Sequence, residues 1–351
     1  MDREKLNVVI LKNEHFEDHL LWIKACEEFK DAIDYRLVDL TLNNWLEEIQ
    51  KAPFDVLLAK PGAFTSSFKE LYDERIHVLS SSLGYEIFPS PMEVFIYENK
   101  RYLSFWLKAN AIPHPQTFVS YYESESISFL ASTAYPVVAK TNIGASGSGV
   151  TILKNKLEAE DYVRRVFSGK GAAKRTGPDL KKGKLVQRFL NLMKSPSRIR
   201  KKWSQYQSLA KDKQTTFVIL QEFIPHEFEW RVVRIGDSFF AHKKLLKNDK
   251  ASGSLLKNYD APPLALFDFA KSITDKHALY SQALDVFESD RGYLVNEMQC
   301  IFGQSDPYQM LVGDEPGRYV FTQDGWKFEP GDFNGNESYN LRIAHLLSSR
   351  K

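Results

Sequence analysis

The sequence predicts an α/β chain in three parts: a small N-terminal α/β unit with a parallel sheet, then two α+β lobes. Three observations carry this. Strand-like and helix-like runs alternate with short links over residues 1 to about 95, as parallel strands joined through helices do. A lysine-ended apolar run then enters a Gly/Ser loop, Tyr135-Pro-Val-Val-Ala-Lys-Thr-Asn-Ile-Gly-Ala-Ser-Gly-Ser-Gly-Val150. From Gln221 onward strand signals dominate. At 351 residues the chain exceeds one typical domain, so lobes sharing a cleft are expected. The divisions read as 1–95, 96–220 and 221–351.

In the first part, Asn7–Leu11 is an apolar strand, and His19–Phe29 spaces its apolar residues as a helix does. Tyr35–Val38 and Asp55–Leu58 are short strands, and Phe68–Leu79 gives mixed signals. No G-x-G-x-x-G follows the first strand, so a dinucleotide fingerprint is absent. Hydrophobic content of 43% and aromatic content of 13% suffice for real cores. No run approaches the roughly 18 apolar residues of a membrane span. The opening Met1–Lys5 leads into Val8–Leu11 without the layout of a secretory signal. Cys26 and Cys300 are far apart and make no metal or redox motif. A cytoplasmic protein with reduced thiols is therefore expected.

The middle part carries a charge asymmetry. Between Arg164 and Lys213, sixteen Lys/Arg stand against Asp179 and Asp212, a net of +14 in a chain whose total is +2. Such a block suits an anionic partner: nucleic acid, an acidic polymer, anionic lipid or a polyphosphate. The other reading is a solvated insertion whose lysines touch only water. Aromatic residues are sparse there (Phe167, Phe189, Trp203, Tyr206), so no stacking platform for single strands is evident. In the Gly/Ser loop, Gly144, Gly147 and Gly149 allow positive φ and close approach of the backbone. Successive loop N–H groups can form a concavity for phosphate, with Lys140 supplying a cation.

The third part holds two further motifs. In Phe217–Asp237 a strand ends at Gln221-Glu222, turns at Pro225 and continues as Trp230–Ile235; Gly236-Asp237 then turns tightly into Ser238–Leu246. Arg231 shares a strand face with Val233 and Ile235, where a guanidinium needs an anionic partner; a surface pairing with Glu227 or Glu229 is the other reading. In Ala283–Gly303, Leu284–Phe287 and Tyr293–Met298 are strands joined by Glu-Ser-Asp-Arg-Gly. Strand periodicity puts Glu297 and Gln299 on one face and Asn296 on the other. Asp285, Glu297 and Gln299 offer the hard oxygen ligands that Mg²⁺ takes. Buried Asp285–Arg and Glu297–Lys ion pairs are the alternative, since an unpaired carboxylate in an apolar strand is costly.

In that order these motifs resemble the ATP-grasp enzymes. The chain is most similar to carboxylate–amine ligases of the ribosomal-protein glutamate ligase type, with matched motifs from about Asn99 to Gly303. The resemblance implies that ATP is bound between the two later lobes. Lys100 and Lys140 then take the places of the two phosphate-binding lysines, and Ala145, Ser146, Gly147, Ser148 and Gly149 form the loop that closes over the phosphates. Gln221, Glu222, Phe223 and Ile224 become the hinge that reads the adenine edge, while Glu229 falls where an acid holds the ribose hydroxyls. Arg231 and Lys244 match basic positions facing the γ-phosphate and the acyl-phosphate intermediate. Asp285 and Glu297 match the carboxylates that hold Mg²⁺, which Mn²⁺ can replace. The usual Glu-x-Asn is here Glu297-Met-Gln299, so either Gln299 or Asn296 completes the metal site, and Cys300-Ile-Phe-Gly303 replaces the usual small-residue-Pro-Gly ending.

The activity implied is ATP- and Mg²⁺-dependent joining of a carboxylate to an amine, with release of ADP and phosphate. Its substrates would be a small-molecule or polymeric carboxylate and amine, and an anionic or polymeric acceptor is one reading of the basic segment 164–213. A kinase of the same fold and a non-catalytic nucleotide- or nucleic-acid-binding protein are the rivals. His226 and His242 flank the hinge as a base for the amine or as structural histidines. Lys247–Asp260 and Gly331–Tyr339 are polar stretches expected to border the cleft, with Gly253 in a surface turn or a second anion-binding turn.

Overall fold

The computed structural model describes residues 5–144, 149–172, 207–247, 250–251, 256–302, 304 and 306–350. Ala145, Ser146, Gly147 and Ser148, most of the basic segment (173–206), residues 252–255 with Gly253, and Gly303 lie outside the described residues. By its internal contacts the chain divides into two units. One comprises Met1–Ala63, Ser67–His114 and Pro225–Lys351, the other Phe64–Ser66 and Pro115–Ile224.

The first unit opens with strands β1 (Leu6–Lys12), β2 (Ile33–Asp39), β3 (Val56–Leu58) and β4 (Ile87–Phe88). They form a fully parallel sheet in the order β2-β1-β3-β4. Helices α1 (Leu20–Glu28), α2 (Trp45–Gln50) and α3 (Ser66–His77) supply the connections. Val8 and Ile10 pack with Trp22, Ala25, Ile343 and Leu346, whereas Val9 and Leu11 pack with Ile49, Tyr72 and Ile76. Burial on both faces explains why β1 reads as an unbroken apolar run rather than an alternating one. The mixed signals of Phe68–Leu79 resolve as α3, in which Tyr72 and Ile76 are buried one turn apart.

Helix α4 (Pro91–Ile96) starts with a capping box: the Ser90 hydroxyl accepts from the Glu93 N–H, and Glu93 Oε2 accepts from Ser90 N at 2.8 Å. Helix α5 (Lys100–Ala109) is capped by Asn99 and buries Leu103, Trp106 and Leu107. In the second unit, β5 (Thr117–Ser120), β6 (Val137–Lys140), β7 (Val150–Leu153) and β8 (Val218–Glu222) form an antiparallel sheet in the order β5-β8-β6-β7. Helices α6 (Glu123–Ser132) and α7 (Lys156–Arg165) cover it, closing a core of Leu130, Val137, Ala139, Ala159, Val163 and Leu220.

The first unit resumes at Pro225 with β9 (Phe228–Ile235), β10 (Ser238–Lys247), β11 (Lys250–Ala251) and β12 (Lys257–Asn258). Helix α8 (Leu264–Lys276), β13 (Ser281–Ser289), β14 (Gly292–Gln299), β15 (Leu311–Val312), β16 (Glu315–Thr322), β17 (Gly325–Pro330) and α9 (Tyr339–Ser348) follow. These strands make one antiparallel sheet along β14-β13-β9-β10-β16-β15, with β11 and β12 on β10 and β17 on β16. Gly236, at φ +57°, makes the β9–β10 turn that the Gly-Asp pair predicts. Trp230, Val232, Leu284 and Val286 share a core with Leu103, Trp106, Phe267 and Ala270 of α5 and α8.

Glu93 ties these layers together, since its Oε1 accepts from Ser281 N, the first residue of β13, at 2.7 Å. Burial pushes the Glu93 carboxyl up from 4.5 to about 7, against the hydrogen bonds it accepts. A raised carboxyl contributes stability below its unfolded pKa and loses it as pH rises through the folded value. The parent chain should therefore lose stability relative to Glu93→Gln as pH rises from about 4.5 to about 7. Thermal midpoints of both chains at pH 5 and pH 8 check this; a constant difference between them contradicts it.

Candidate functional site

Strand register builds the site. Glu297 of β14 stands opposite Asp285 of β13, Asp285 opposite Arg231 of β9, and Arg231 opposite His242 of β10. One row of side chains therefore crosses four strands on a single face. In the next row Glu229 faces Lys244, and Lys244 faces Lys257. Along β9 and β13 the same face then turns apolar at Val233 and Ala283, both buried.

Asp285 is 2% exposed and fully paired. It accepts from Arg231 Nε at 2.8 Å and Nη2 at 3.0 Å, a bidentate contact, and from Lys244 Nζ at 2.7 Å. Burial pushes its carboxyl up, but Arg231 and Lys244 outweigh that and hold it well below the usual carboxylate range. Lys244 also donates to Glu229 Oε2 at 2.7 Å. Burial works against its ammonium, yet Asp285 and Glu229 together raise its pKa. Lys100, at the first turn of α5, lies 3.2 Å from Glu297 Oε1 and 3.6 Å from Glu98 Oε2. Both pairings that the sequence left open are thus present, Asp285–Arg231 buried and Glu297–Lys100 partly exposed, while the Arg231 partner is Asp285 rather than Glu227 or Glu229.

Asn296 departs from strand periodicity. Asp285 pairs with Glu297 and Val286 with Val295, so Asn296 is the extra residue of a β-bulge. The bulge brings it to the face of Glu297, where its Nδ2 donates to Glu229 Oε1 at 3.0 Å. Gln299, two residues beyond Glu297, donates from Nε2 to Glu98 Oε1 at 3.2 Å. Glu98 is the residue that sequence reasoning missed: it is 5% exposed with φ +48°, and neither motif nor periodicity marks it.

The histidines differ. His242 is 1% exposed, and its Nδ1–H donates to the Gln309 carbonyl at 2.9 Å. Burial, then Arg231 and Lys257, push its pKa down to about 3, so the ring is neutral and its orienting partner is a backbone carbonyl. His226 lies 3.9 Å from Glu229 and against the Phe287 ring, centroids 4.5 Å apart. Beyond Lys244 the face continues to Lys257, which bonds Asp306 Oδ2 at 2.7 Å; Tyr259 donates to the same oxygen at 2.5 Å. Within Gly331–Tyr339, Asn334 and Ser338 are buried and bond Gln309 at 2.9 and 3.0 Å.

In the second unit, β6 ends at Lys140, which is 8% exposed. The β6–β7 hairpin is locked beside it by Thr141 N donating to Gly149 O at 2.8 Å. A Cβ at Gly149 would overlap the Thr141 hydroxyl, so only glycine fits there. At the end of β8, Gln221 Nε2 donates to Thr117 Oγ1 at 3.0 Å, and Glu222 Oε1 accepts from Gln116 N at 2.7 Å. Ile224 is buried, Phe223 partly so.

Comparisons with solved structures match this architecture at low identity. A RimK-domain ATP-grasp protein from Sphaerobacter thermophilus gives a TM-score of 0.50 at 18% identity, over 83% of this chain and 90% of its own. D-alanine–D-alanine ligase from Bacillus anthracis in complex with ATP gives 0.51 at 13%, over 98% of each chain. The biotin carboxylase domain of 2-oxoglutarate carboxylase from Hydrogenobacter thermophilus, with MgADP, ADP and bicarbonate, gives 0.54 at 13%, over 88% and 66%. The chain has the ATP-grasp fold. No family model matches its sequence, and no curated protein matches it either.

Among the described residues of this ATP-grasp chain, no three His, Cys, Asp or Glu side chains are grouped to hold a metal ion. Asp285 and Glu297 are cross-strand neighbours, and Gln299 shares the strand face of Glu297. These are hard oxygen donors, and their chemistry fits Mg²⁺. No membrane-crossing helix occurs among the described residues. Because Asp285 neutralises two buried cations, Asp285→Ala should destabilise the fold by about 3–5 kcal/mol. Urea denaturation checks this, and a loss below 1 kcal/mol would contradict the pairing.

Proposed function

We propose that this protein is an ATP- and Mg²⁺-dependent ligase that joins a carboxylate to an amine through an acyl phosphate. The observation that carries the reading is the row Glu297–Asp285–Arg231 with Lys244 beside it: two carboxylates suited to a divalent cation, next to buried cations suited to phosphoryl oxygens. The ATP-grasp fold and the ATP and MgADP bound in its structural relatives support it.

A carboxylate resists attack by an amine because the reaction would have to expel oxide. Transfer of the γ-phosphoryl group to it gives an acyl phosphate and ADP, and the amine then attacks the acyl carbon and expels phosphate. Little covalent work falls on the protein, whose task is placement and charge neutralisation. Lys100 and Lys140 serve the phosphates; Arg231 and Lys244 face the transferred phosphoryl group and its acyl acceptor. Asp285, Glu297 and the Gln299 oxygen would hold Mg²⁺, which supplies positive charge to the phosphoryl oxygens. The hinge from Gln221 to Ile224 offers backbone groups to the base, and Glu229, in the second row, offers a carboxylate to the ribose. His242, neutral and engaged with Gln309, serves as structural support, which leaves the partly exposed His226 to receive the proton of the attacking amine.

A thermal shift tests the nucleotide site directly. ATP with Mg²⁺ at about 100 times its dissociation constant should add roughly 2.7 kcal/mol to the parent chain. The shift should shrink for Lys140→Ala and for Glu297→Gln. ADP release that requires both an acid and an amine then identifies a ligase, and ADP release with a stable phosphorylated product identifies a kinase. A folded parent chain with no Mg²⁺-dependent shift sinks the reading.

A further inference from the structure

Gln299 stands where the ATP-grasp motif has an asparagine, and a side-chain amide can turn either an oxygen or an NH₂ toward its neighbours. Only the oxygen serves a cation. We propose that Glu98 fixes this choice: it is the positioning residue that turns the Gln299 carbonyl oxygen into the metal site. The inference rests on the ligase reading above and concerns which residue makes that site competent.

The geometry is specific. Glu98 lies in the link between α4 and α5 at φ +48°, a left-handed conformation that a residue with a Cβ adopts at a cost. Its side chain is 4% exposed. One carboxylate oxygen accepts from Gln299 Nε2 at 3.2 Å, and the other lies 3.6 Å from Lys100 Nζ, itself 3.2 Å from Glu297. The amide presents its nitrogen to Glu98. Its oxygen is thereby turned away from Glu98. Glu297 lies two residues back on the same strand face as Gln299. On the bulge Asn296 is held in the same manner, its NH₂ donating to Glu229 at 3.0 Å. Glu98 therefore compensates for the extra methylene of glutamine: the longer side chain reaches a partner that sets its orientation. Hydrogen-bond partners behind a metal ligand act in this way, and losing one typically weakens metal affinity by about 10–100-fold.

The test is Mn²⁺ binding to the full chain with a non-hydrolysable ATP analogue, read by the loss of the free-Mn²⁺ electron paramagnetic resonance signal. Glu98→Met removes the acceptor at similar volume and should weaken Mn²⁺ binding by about 10–100-fold. Gln299→Glu in that background should recover most of the loss, because a carboxylate presents oxygen whichever way it turns. Gln299→Met alone should lose at least as much as Glu98→Met, which keeps the test open should Glu98→Met fold poorly. Parental affinity in Glu98→Met or in Gln299→Met overturns the proposal, as does a Glu98→Met loss that Gln299→Glu leaves uncorrected. Glu297→Gln separates this from failure of the ligase reading. If it abolishes Mn²⁺ binding while Glu98→Met does not, only the role of Glu98 falls; if it too binds as the parent does, the metal site itself falls.

Discussion

The charged face of the sheet in the first unit depends on one buried carboxylate. Asp285 sits in an apolar strand at 2% exposure, where an uncompensated carboxylate would cost several kcal/mol. The ladder meets that cost by register, setting Arg231 directly opposite and Lys244 one row on. Lys244 then needs Glu229, Glu229 takes Asn296, and Glu297 takes Lys100, so the neutralisation of one carboxylate spreads outward as alternating charge. Strand pairing holds these groups at fixed spacing, which a loop cannot do. The same constraint ties the groups to one another, because each member compensates a charge on its neighbour.

The bulge at Asn296 breaks strand periodicity where the charges gather. In a regular strand Asn296 would face the opposite side and Glu229 would keep only its lysine and the more distant His226. One inserted residue brings the amide across and twists the strand locally, a known use of bulges beside functional sites. The bulge also places Glu297 opposite Asp285 with Gln299 two residues beyond. Carboxylates and cations thus alternate across the face, with Lys100 on Glu297 and Arg231 and Lys244 on Asp285.

Much of this was legible in the sequence, for identifiable reasons. The strands on either side of Gly236-Asp237 follow from β-propensity and a turn pair with one favoured geometry. Lys140 could be placed because an apolar run ends at it just before the glycines. The pairing alternatives for Asp285 and Glu297 were legible because a charge inside an apolar strand has few solutions. What could not be read has equally physical causes. A bulge leaves no mark in composition, so Asn296 was assigned to the wrong face. Glu98 is one acid among many in a polar link, and only the fold brings it to Gln299, 201 residues away. Helix α3 gave mixed signals because its buried stripe is narrow.

Four carboxylates, Glu98, Glu229, Asp285 and Glu297, interlock on this face with three cations, Lys100, Arg231 and Lys244. Triphosphate alone would have to draw lysines from carboxylates that would then be left buried and unpaired. A divalent cation alone would meet ammonium groups already seated on its ligands. Under the ligase reading the two arrivals would relieve each other: Glu297 and Asp285 would hold the cation, and Lys100 and Lys244 would serve the phosphates. On that reading, charge pairing on this face would couple nucleotide to metal, and the coupling would come from the same pairs that make a buried Asp285 tolerable in the folded chain.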